Sequence, residues 1–413
     1  MPVTDQLNRD EARVLAALAP RREAMIEAVV ALARINSGSA NLAGLEAMAG
    51  ALAPRLAALG AEPARVEPAP VEAIDGQGRA APVAHGASLH LTVRPDAALQ
   101  VLLVGHMDTV FPPGDAFQDV RWLRDGVLNG PGVADMKGGL VVMLEALAAF
   151  EASPWAERLG YQVVINADEE VSSFASGPLL AAAARAASLG LVYEPGTTAD
   201  GMLAAARKGR AAFTVVARGV SAHAGRNPED GRNALVAAAD FAVRAQALNG
   251  AREALSVNVA RIEGGGPANV VPDLALVRLE SRVATHADRH WIEAELARLA
   301  AQVGAAHGLT LTLHGRFTRP PKPFDPRTER LFEAVRRCGA DLGQSIGWRA
   351  SGGCCDGNNL AEAGLAVVDT LGVRGGAIHS RDEFLIADSL VERAQLSALL
   401  LMRLASGEIE LTK

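Results

Sequence analysis

Cysteine, basic charge and long apolar runs are what this 413-residue chain has least of, and each shortage removes a class of protein. Its three cysteines, Cys338, Cys354 and Cys355, cannot build a disulfide framework, and adjacent residues such as Cys354 and Cys355 pair only with strain. A reducing compartment is expected. Acidic residues outnumber Lys and Arg by 47 to 40, a formal net charge of -7, so the basic face that nucleic acid or an anionic membrane requires is missing. No uninterrupted apolar run reaches the ~18 residues that suggest a membrane span. The opening MPVTDQLNRDEARVLAALAP carries acids where a secretory signal would be basic. These shortages point to a cytoplasmic protein whose partner is a small molecule.

What is abundant fits that picture. A hydrophobic share of 49% and a charged share of 21% describe a globular chain with ample surface to bury. At 413 residues it is too long for one ordinary core, and two domains are expected.

The stretch Val101 to Lys137 organises the rest. VLLVG is a β-branched, apolar run, read as a buried strand that delivers His106 and Asp108 to its C-terminal end, where open α/β sheets place ligands. Alternation would put the two on one face, with the carboxylate orienting the imidazole. Alone, the pair reads more readily as a locally hydrogen-bonded strand end. The next segment changes that: Gly130, Gly132, Gly138 and Gly139 bracket Asp135 ahead of an apolar helix, Leu140 to Phe150. YQVVINADEE repeats the grammar and ends in Asp168, Glu169 and Glu170. Adjacent acids at a buried strand end call for a cation, although acids dressing the N-terminus of the following helix would read equally well. LGLVYEPG ends the same way in Glu194, and GGAIHSRDEF offers His379. Two imidazoles and three carboxylates, with Glu169 beside one of them, suit two divalent ions sharing one carboxylate. Such N/O donors favour zinc, with cobalt or manganese as alternatives.

Along the chain, Asp10 to Gly60 is helical in pattern, and PAPVEAIDGQGRAAPVAHG reads as a Pro/Gly-rich connection before the strand ASLHLTVRP. After Arg207 the order becomes βαββαβ, with helices expected at Gly231–Leu248 and Ala287–His307. That gives a catalytic domain in two parts, 1–208 and 321–413, around an insertion at 209–320. A helix at Thr328–Leu342 and the segment ASGGCCDGNN follow the Pro-rich FTRPPKPFDP.

GHMDTV, GPGVADMKGG, ADEE, YEPG, GVSAHAG and GAIHS, in this order, resemble the M20 family of metallopeptidases and amidohydrolases, in particular its carboxypeptidase G2-like branch. The resemblance implies an α/β fold: a zinc-exopeptidase-like catalytic domain with a mixed central sheet flanked by helices, plus an inserted α+β, ferredoxin-like lid and dimerisation domain. It also implies two zinc ions, one on His106 and Glu194, the other on Glu170 and His379, with Asp135 bridging. Asp108 would support His106, and Glu169 would be the general base that activates a bridging water. A cis peptide is implied at Asp135–Met136. His223 would reach the partner subunit's site in a homodimer and polarise the scissile carbonyl. Asn269, Arg282 and Arg319 would bind substrate, and Gly352 and Gly353 would cradle it. Where relatives commonly carry Gly-Thr-Asp, this chain has Cys354, Cys355 and Asp356, and Cys355 is read as a buried, inert thiol. The implied reaction is amide hydrolysis of a peptide or N-acyl amino acid, with release of a free amino acid, for instance of C-terminal glutamate type, or deacylation of an N-acetyl or N-succinyl amino acid. The alternative of another class is a metal- or amino-acid-binding protein that keeps the fold without turnover, against which Glu169 and all five ligand positions speak.

Overall fold

The apolar run at Val101 forms the strand Gln100–His106, close to the middle of an eight-stranded sheet in the computed structural model, which describes residues 7–410. In spatial order the strands are Ala64–Val66, Ser88–Val93, Gly160–Asn166, Gln100–His106, Leu189–Val192, Val367–Asp369, Leu203–Arg207 and Trp348–Ser351. The four central ones, from Gly160–Asn166 to Val367–Asp369, run parallel. They are buried along almost their whole length, as strands covered on both faces must be. Alternation sorts their side chains: Val101 and Leu103 join Leu140 and Leu399 in one core, while Leu102 and Val104 join Leu180 and Leu360 in the other. Truncating a fully buried leucine such as Leu103 to Ala would cost about 2–5 kcal/mol.

Parallel register brings the strand C-termini to one edge. His106 pairs with Asn166, two residues before Asp168, and Val104 pairs with Val192, two residues before Glu194. The helix Gly138–Glu151 follows Asp135 and packs hard against this edge. A Cβ added at Gly139 would sit 2.0 Å from the Tyr193 carbonyl oxygen, so only glycine permits the approach. A small sheet of Gly375–Gly376, Phe384–Ile386, Val127–Asn129 and Arg121–Arg124 ties the His379 loop to the segment ahead of Asp135.

The insertion has its own core. Strands Gly209–Arg218, Ser256–Gly264, Leu274–Val283 and Thr310–Arg319 form an antiparallel sheet in the spatial order second, third, first, fourth, with helices Ala234–Gln246 and His286–His307 packed on it. The first helix is shorter than Gly231–Leu248 because Asn233 caps it, accepting from Val236 N at 3.1 Å. The expected connection after Pro68 departs from its reading: it contains a hairpin, Val71–Ile74 with Ala80–Val83, closed by Asp75, whose side chain accepts from Gln77 N and Arg79 N. No helix among the described residues is long and apolar enough to cross a membrane.

Candidate metal centre

His106, at 1% exposure, is held from behind. Its Nδ1 donates to the Asp108 carbonyl oxygen at 3.0 Å and lies 3.4 Å from Asp108 Oδ1, so the proton sits on Nδ1 and Nε2 faces forward. There Nε2 is 3.1 Å from Asp135 Oδ1 and 3.7 Å from Glu194 Oε1. Asp135 turns its other oxygen to the opposite side, where His379 Nε2 lies 3.2 Å from Asp135 Oδ2 and 3.2 Å from Glu170 Oε2. Two triads, His106–Asp135–Glu194 and Asp135–Glu170–His379, thus share one carboxylate, and within each the ligand atoms lie within 4.8 Å of one another. A cis peptide lies at Asp135–Met136.

The electrostatics are those of crowded acids. Burial, and then the neighbouring Asp135, pushes Glu170 up to about 8 and Glu194 well above the usual carboxylate range. Burial alone would lower His106, but its hydrogen bonds to Asp108 and Asp135 outweigh that and raise it well above its ordinary value. Hydrogen bonds to Asp135 and Glu170 raise His379 to about 11. Protons are standing where positive charge is wanted.

The two readings of the ADEE segment divide between its residues. Asp168 serves the helix side, its Oδ2 accepting from Ala175 N at 2.7 Å just ahead of the helix Gly177–Ala186, while Glu170 turns to His379. Asp108 fixes both following residues by the backbone: Glu169 N donates to Oδ1 and Glu170 N to Oδ2, each at 3.1 Å, and Ser39 Oγ donates to Oδ2 at 2.8 Å.

Asp135, Glu169, Glu170, Glu194 and His379 line one cavity of about 530 Å³, which extends to Arg207, Arg349, Gly353, Cys354 and Cys355. Gly352 stands just outside it, its carbonyl accepting from Arg282 Nη1 at 2.8 Å. Arg282 also donates to Glu280 at 2.7 Å. Cys355 is 2% exposed, and burial pushes its thiol well up.

Three candidates lie outside the cavity of their own chain. Arg319, expected to grip a substrate carboxylate, is 2% exposed and already committed to Glu169 and Asp356, at 2.8 and 3.0 Å. Its guanidinium is not among the groups lining the cavity. His223 and Asn269 lie on exposed loops of the inserted sheet, paired with each other's segments through the His223–Val270 bridge, and neither lines the cavity. Sequence reasoning missed Glu383. Fully buried, it accepts from Gly132 N at 3.0 Å, Ala134 N at 2.9 Å and Asp135 N at 3.0 Å, and so shapes the loop that presents Asp135. Its position after the conspicuous His379 was the available signal.

Comparison with known proteins agrees with this geometry. Carboxypeptidase G2 of Pseudomonas sp. (strain RS-16) is 28% identical over 312 residues, 75% of this chain and 74% of that protein. Succinyl-diaminopimelate desuccinylase of Xanthomonas oryzae pv. oryzae (strain MAFF 311018) is 30% identical over 309 residues, 68% of this chain and 78% of that protein. The crystal structure of aminopeptidase PepT from Bacillus cereus ATCC 10987 superposes with a TM-score of 0.70 at 24% identity, over 93% of this chain and 99% of that one, a likeness of fold. Residues 102–403 match Peptidase family M20/M25/M40, and a run of that length around a shared-carboxylate centre means that the chain belongs to this family of metal-dependent peptidases and amidohydrolases.

Proposed function

We propose that the chain hydrolyses the amide bond of a peptide or N-acyl amino acid at a centre of two divalent ions, one on His106 and Glu194, one on Glu170 and His379, with Asp135 shared. The observation that carries this reading is Asp135 itself, whose two oxygens face imidazoles from segments far apart in the chain, at 3.1 and 3.2 Å. The donor set fits the ions: three buried or nearly buried carboxylates, crowded enough that Glu170 titrates near 8, plus two imidazole nitrogens. Nitrogen and oxygen donors of this kind suit zinc first, then cobalt or manganese.

Ions bound there would polarise the scissile carbonyl and bring the pKa of water down to about 7. Glu169 lines the same cavity and is offered as the general base, taking a proton from water and returning it to the leaving amine. Asp108 serves it by pinning the main chain of Glu169 and Glu170. Arg349 on the cavity wall, which pairs with no acid among the described residues, favours a substrate that carries an additional carboxylate, such as a peptide ending in a glutamate-type residue, whereas the neighbouring Arg207 is held by Asp369 at 2.9 Å. An N-succinyl or N-acetyl amino acid is the second reading, favoured by the likeness to the desuccinylase. His223 and Asn269 are assigned to the site of a partner subunit, in a homodimer formed through the inserted sheet. Exposed Val236 and Val243 on one face of the helix Ala234–Gln246, and Ile262 on the edge strand Ser256–Gly264, support that surface. Three free cysteines accord with a cytoplasmic setting.

The test is to load the purified protein with zinc, measure bound metal, and follow free amine from a panel of dipeptides and N-acyl amino acids, with and without an added carboxylate. Release of amine that stops when metal is stripped and returns on its addition is expected. Turnover that survives stripping would overturn the reading.

A further inference from the structure

The inserted sheet ends in a buried arginine for which the reaction above has no use. Arg319 is the last residue of the strand Thr310–Arg319. Its Nη2 donates to the main-chain oxygen of Glu169 at 3.0 Å, to Glu169 Oε1 at 2.8 Å and to Ser173 Oγ at 2.9 Å. Its Nη1 lies 3.0 Å from Asp356 Oδ1. Asp356 is anchored in turn: Asn166 Nδ2 donates to Oδ2 and Ser173 Oγ to Oδ1, both at 2.6 Å. Asn166 closes a central strand in register with His106, and Asp356 opens the helix Asp356–Glu362. The guanidinium is therefore fixed by elements of the central fold and cannot swing toward the cavity without leaving two buried carboxylates unpaired.

What the clamp does to Glu169 is specific. It grips one carboxylate oxygen and the carbonyl of the same residue, while Oε2 accepts no hydrogen bond among the described residues and the side chain still borders the cavity. A glutamate otherwise free in its side-chain torsions is thereby held in one orientation, with one oxygen occupied and one available. Only a planar fork reaches two carboxylates and a carbonyl at once, which a lysine ammonium does not reproduce.

We propose that Arg319 is the positioning residue of Glu169: it holds the carboxylate in the orientation that presents Oε2 to the cavity, and does so from a network that includes no metal ligand. This rests on Glu169 acting as the general base, and the experiment separates the two claims. Metal-loaded Arg319→Ala, Arg319→Lys, Glu169→Gln and the double variant Glu169→Gln/Arg319→Ala are compared for kcat, KM and bound metal. Arg319→Ala should lower kcat on the order of 100-fold, with metal retained and KM little changed. Guanidinium chloride at non-denaturing concentration should restore part of the loss. Arg319→Lys should remain slow, and the double variant should be hardly worse than Glu169→Gln, because both changes act through one carboxylate. A raised KM with kcat intact would make Arg319 a substrate clamp and overturn the proposal, as would loss of metal or fully additive losses in the double variant. Wild-type turnover in Glu169→Gln removes the general base and the clamp with it. An inactive Glu169→Gln beside a fully active Arg319→Ala removes the clamp alone. Should Arg319→Ala fail to fold, Arg319→Lys keeps a cation between Glu169 and Asp356: reduced kcat with metal retained supports the proposal, and wild-type kcat overturns it.

Discussion

The His106–Glu194 edge of the central sheet and the His223–Asn269 loops of the inserted sheet are built by opposite means. At the first, parallel strands in fixed register end together, and the acids just beyond them, buried or nearly so, are packed within one chain. At the second, two exposed loops pair with each other, Ala224 N donating to the Asn269 carbonyl oxygen at 3.0 Å, and reach no part of the cavity. The first region draws all its groups from one chain through strand register. The second reaches no such centre within its own chain, and in the function proposed above it is completed by a partner subunit.

The sharpest way to break that comparison is to remove a group from each side and measure metal. Asp135→Ala takes the shared ligand from both triads, so it should lose both metal and turnover. Glu169→Gln should keep metal and lose about 10²–10⁴-fold in kcat, the usual share of a general base. His223→Ala should keep its full metal complement. Metal analysis of the three proteins decides it, and a metal-depleted His223→Ala would mean that the loop belongs to the first region after all.

A subtler cut falls on Glu383, which binds no ion in this reading but receives three backbone N–H groups of the Asp135 loop. In Glu383→Ala those donors are left buried and unpaired, and the loop loses the shape that aims Asp135. Metal affinity should fall about 10–100-fold, the usual effect of losing a group that orients a ligand. Equilibrium dialysis against a competing chelator measures this, and unchanged affinity would make Glu383 a matter of stability only.

How much of this was legible follows the same division. Strand ends bearing His106, Glu169, Glu170 and Glu194 stood out because a buried parallel strand is a continuous apolar run, and an acid at its end is conspicuous. The βαββαβ order was legible for a related reason, since alternation and helical periodicity survive in exposed sheets. Glu383 and Asp356 were not legible as structural partners, because their roles depend on contacts 251 and 190 residues away. The family resemblance made Arg319 a candidate for binding substrate. The structure gives it to Glu169 because its strand ends against the Glu169–Ser173 segment, a tertiary contact that no local pattern encodes. The hairpin after Pro68 was hidden by its Pro and Gly content: Gly76 and Gly78 describe its turn, and Pro82, inside the strand Ala80–Val83, argues against a strand that nonetheless forms.

Proton occupancy offers a smaller effect with a definite sign. In the metal-free protein His379 titrates near 11, because Asp135 and then Glu170 hold its charged form, so the stability it contributes is complete below its unfolded pKa and is lost as pH rises toward 11. Glu170, raised by burial to about 8, favours its neutral form, so folding also weakens between its unfolded pKa and about 8. Both trends make the metal-free protein less stable with rising pH, whereas bound metal replaces those protons and binds more tightly as they leave. The difference in Tm between metal-loaded and metal-free protein should therefore widen from about pH 6 to about pH 9. A gap that narrows over that range would contradict the assignment of His379 and Glu170 as ligands.

The finest discrimination asks whether the two regions meet across a dimer. If His223 serves the partner's site, a chain carrying His223→Ala and a chain carrying Glu169→Gln are each inactive in their own homodimers, but together they hold one complete site. That site uses the body of the His223→Ala chain, with its intact Glu169, and the intact His223 loop of the Glu169→Gln chain. The other site in the same mixed dimer lacks both groups. Random reassortment makes about half of the dimers mixed, and each then carries one working site of two, so activity should recover to about a quarter of the wild-type value. The measurement needs the two homodimers folded and metal-loaded beforehand, and exchange verified by separable tags. The closed two-fold contact expected on Val236, Val243 and the Ser256–Gly264 edge gives a control, because a charge placed at Val243, 72% exposed here, should weaken the dimer and abolish the recovery together. Recovery that is absent in verified mixed dimers would place His223 in its own subunit's chemistry or outside chemistry altogether, and the contrast between a self-contained edge and a shared loop would then fail at its second term.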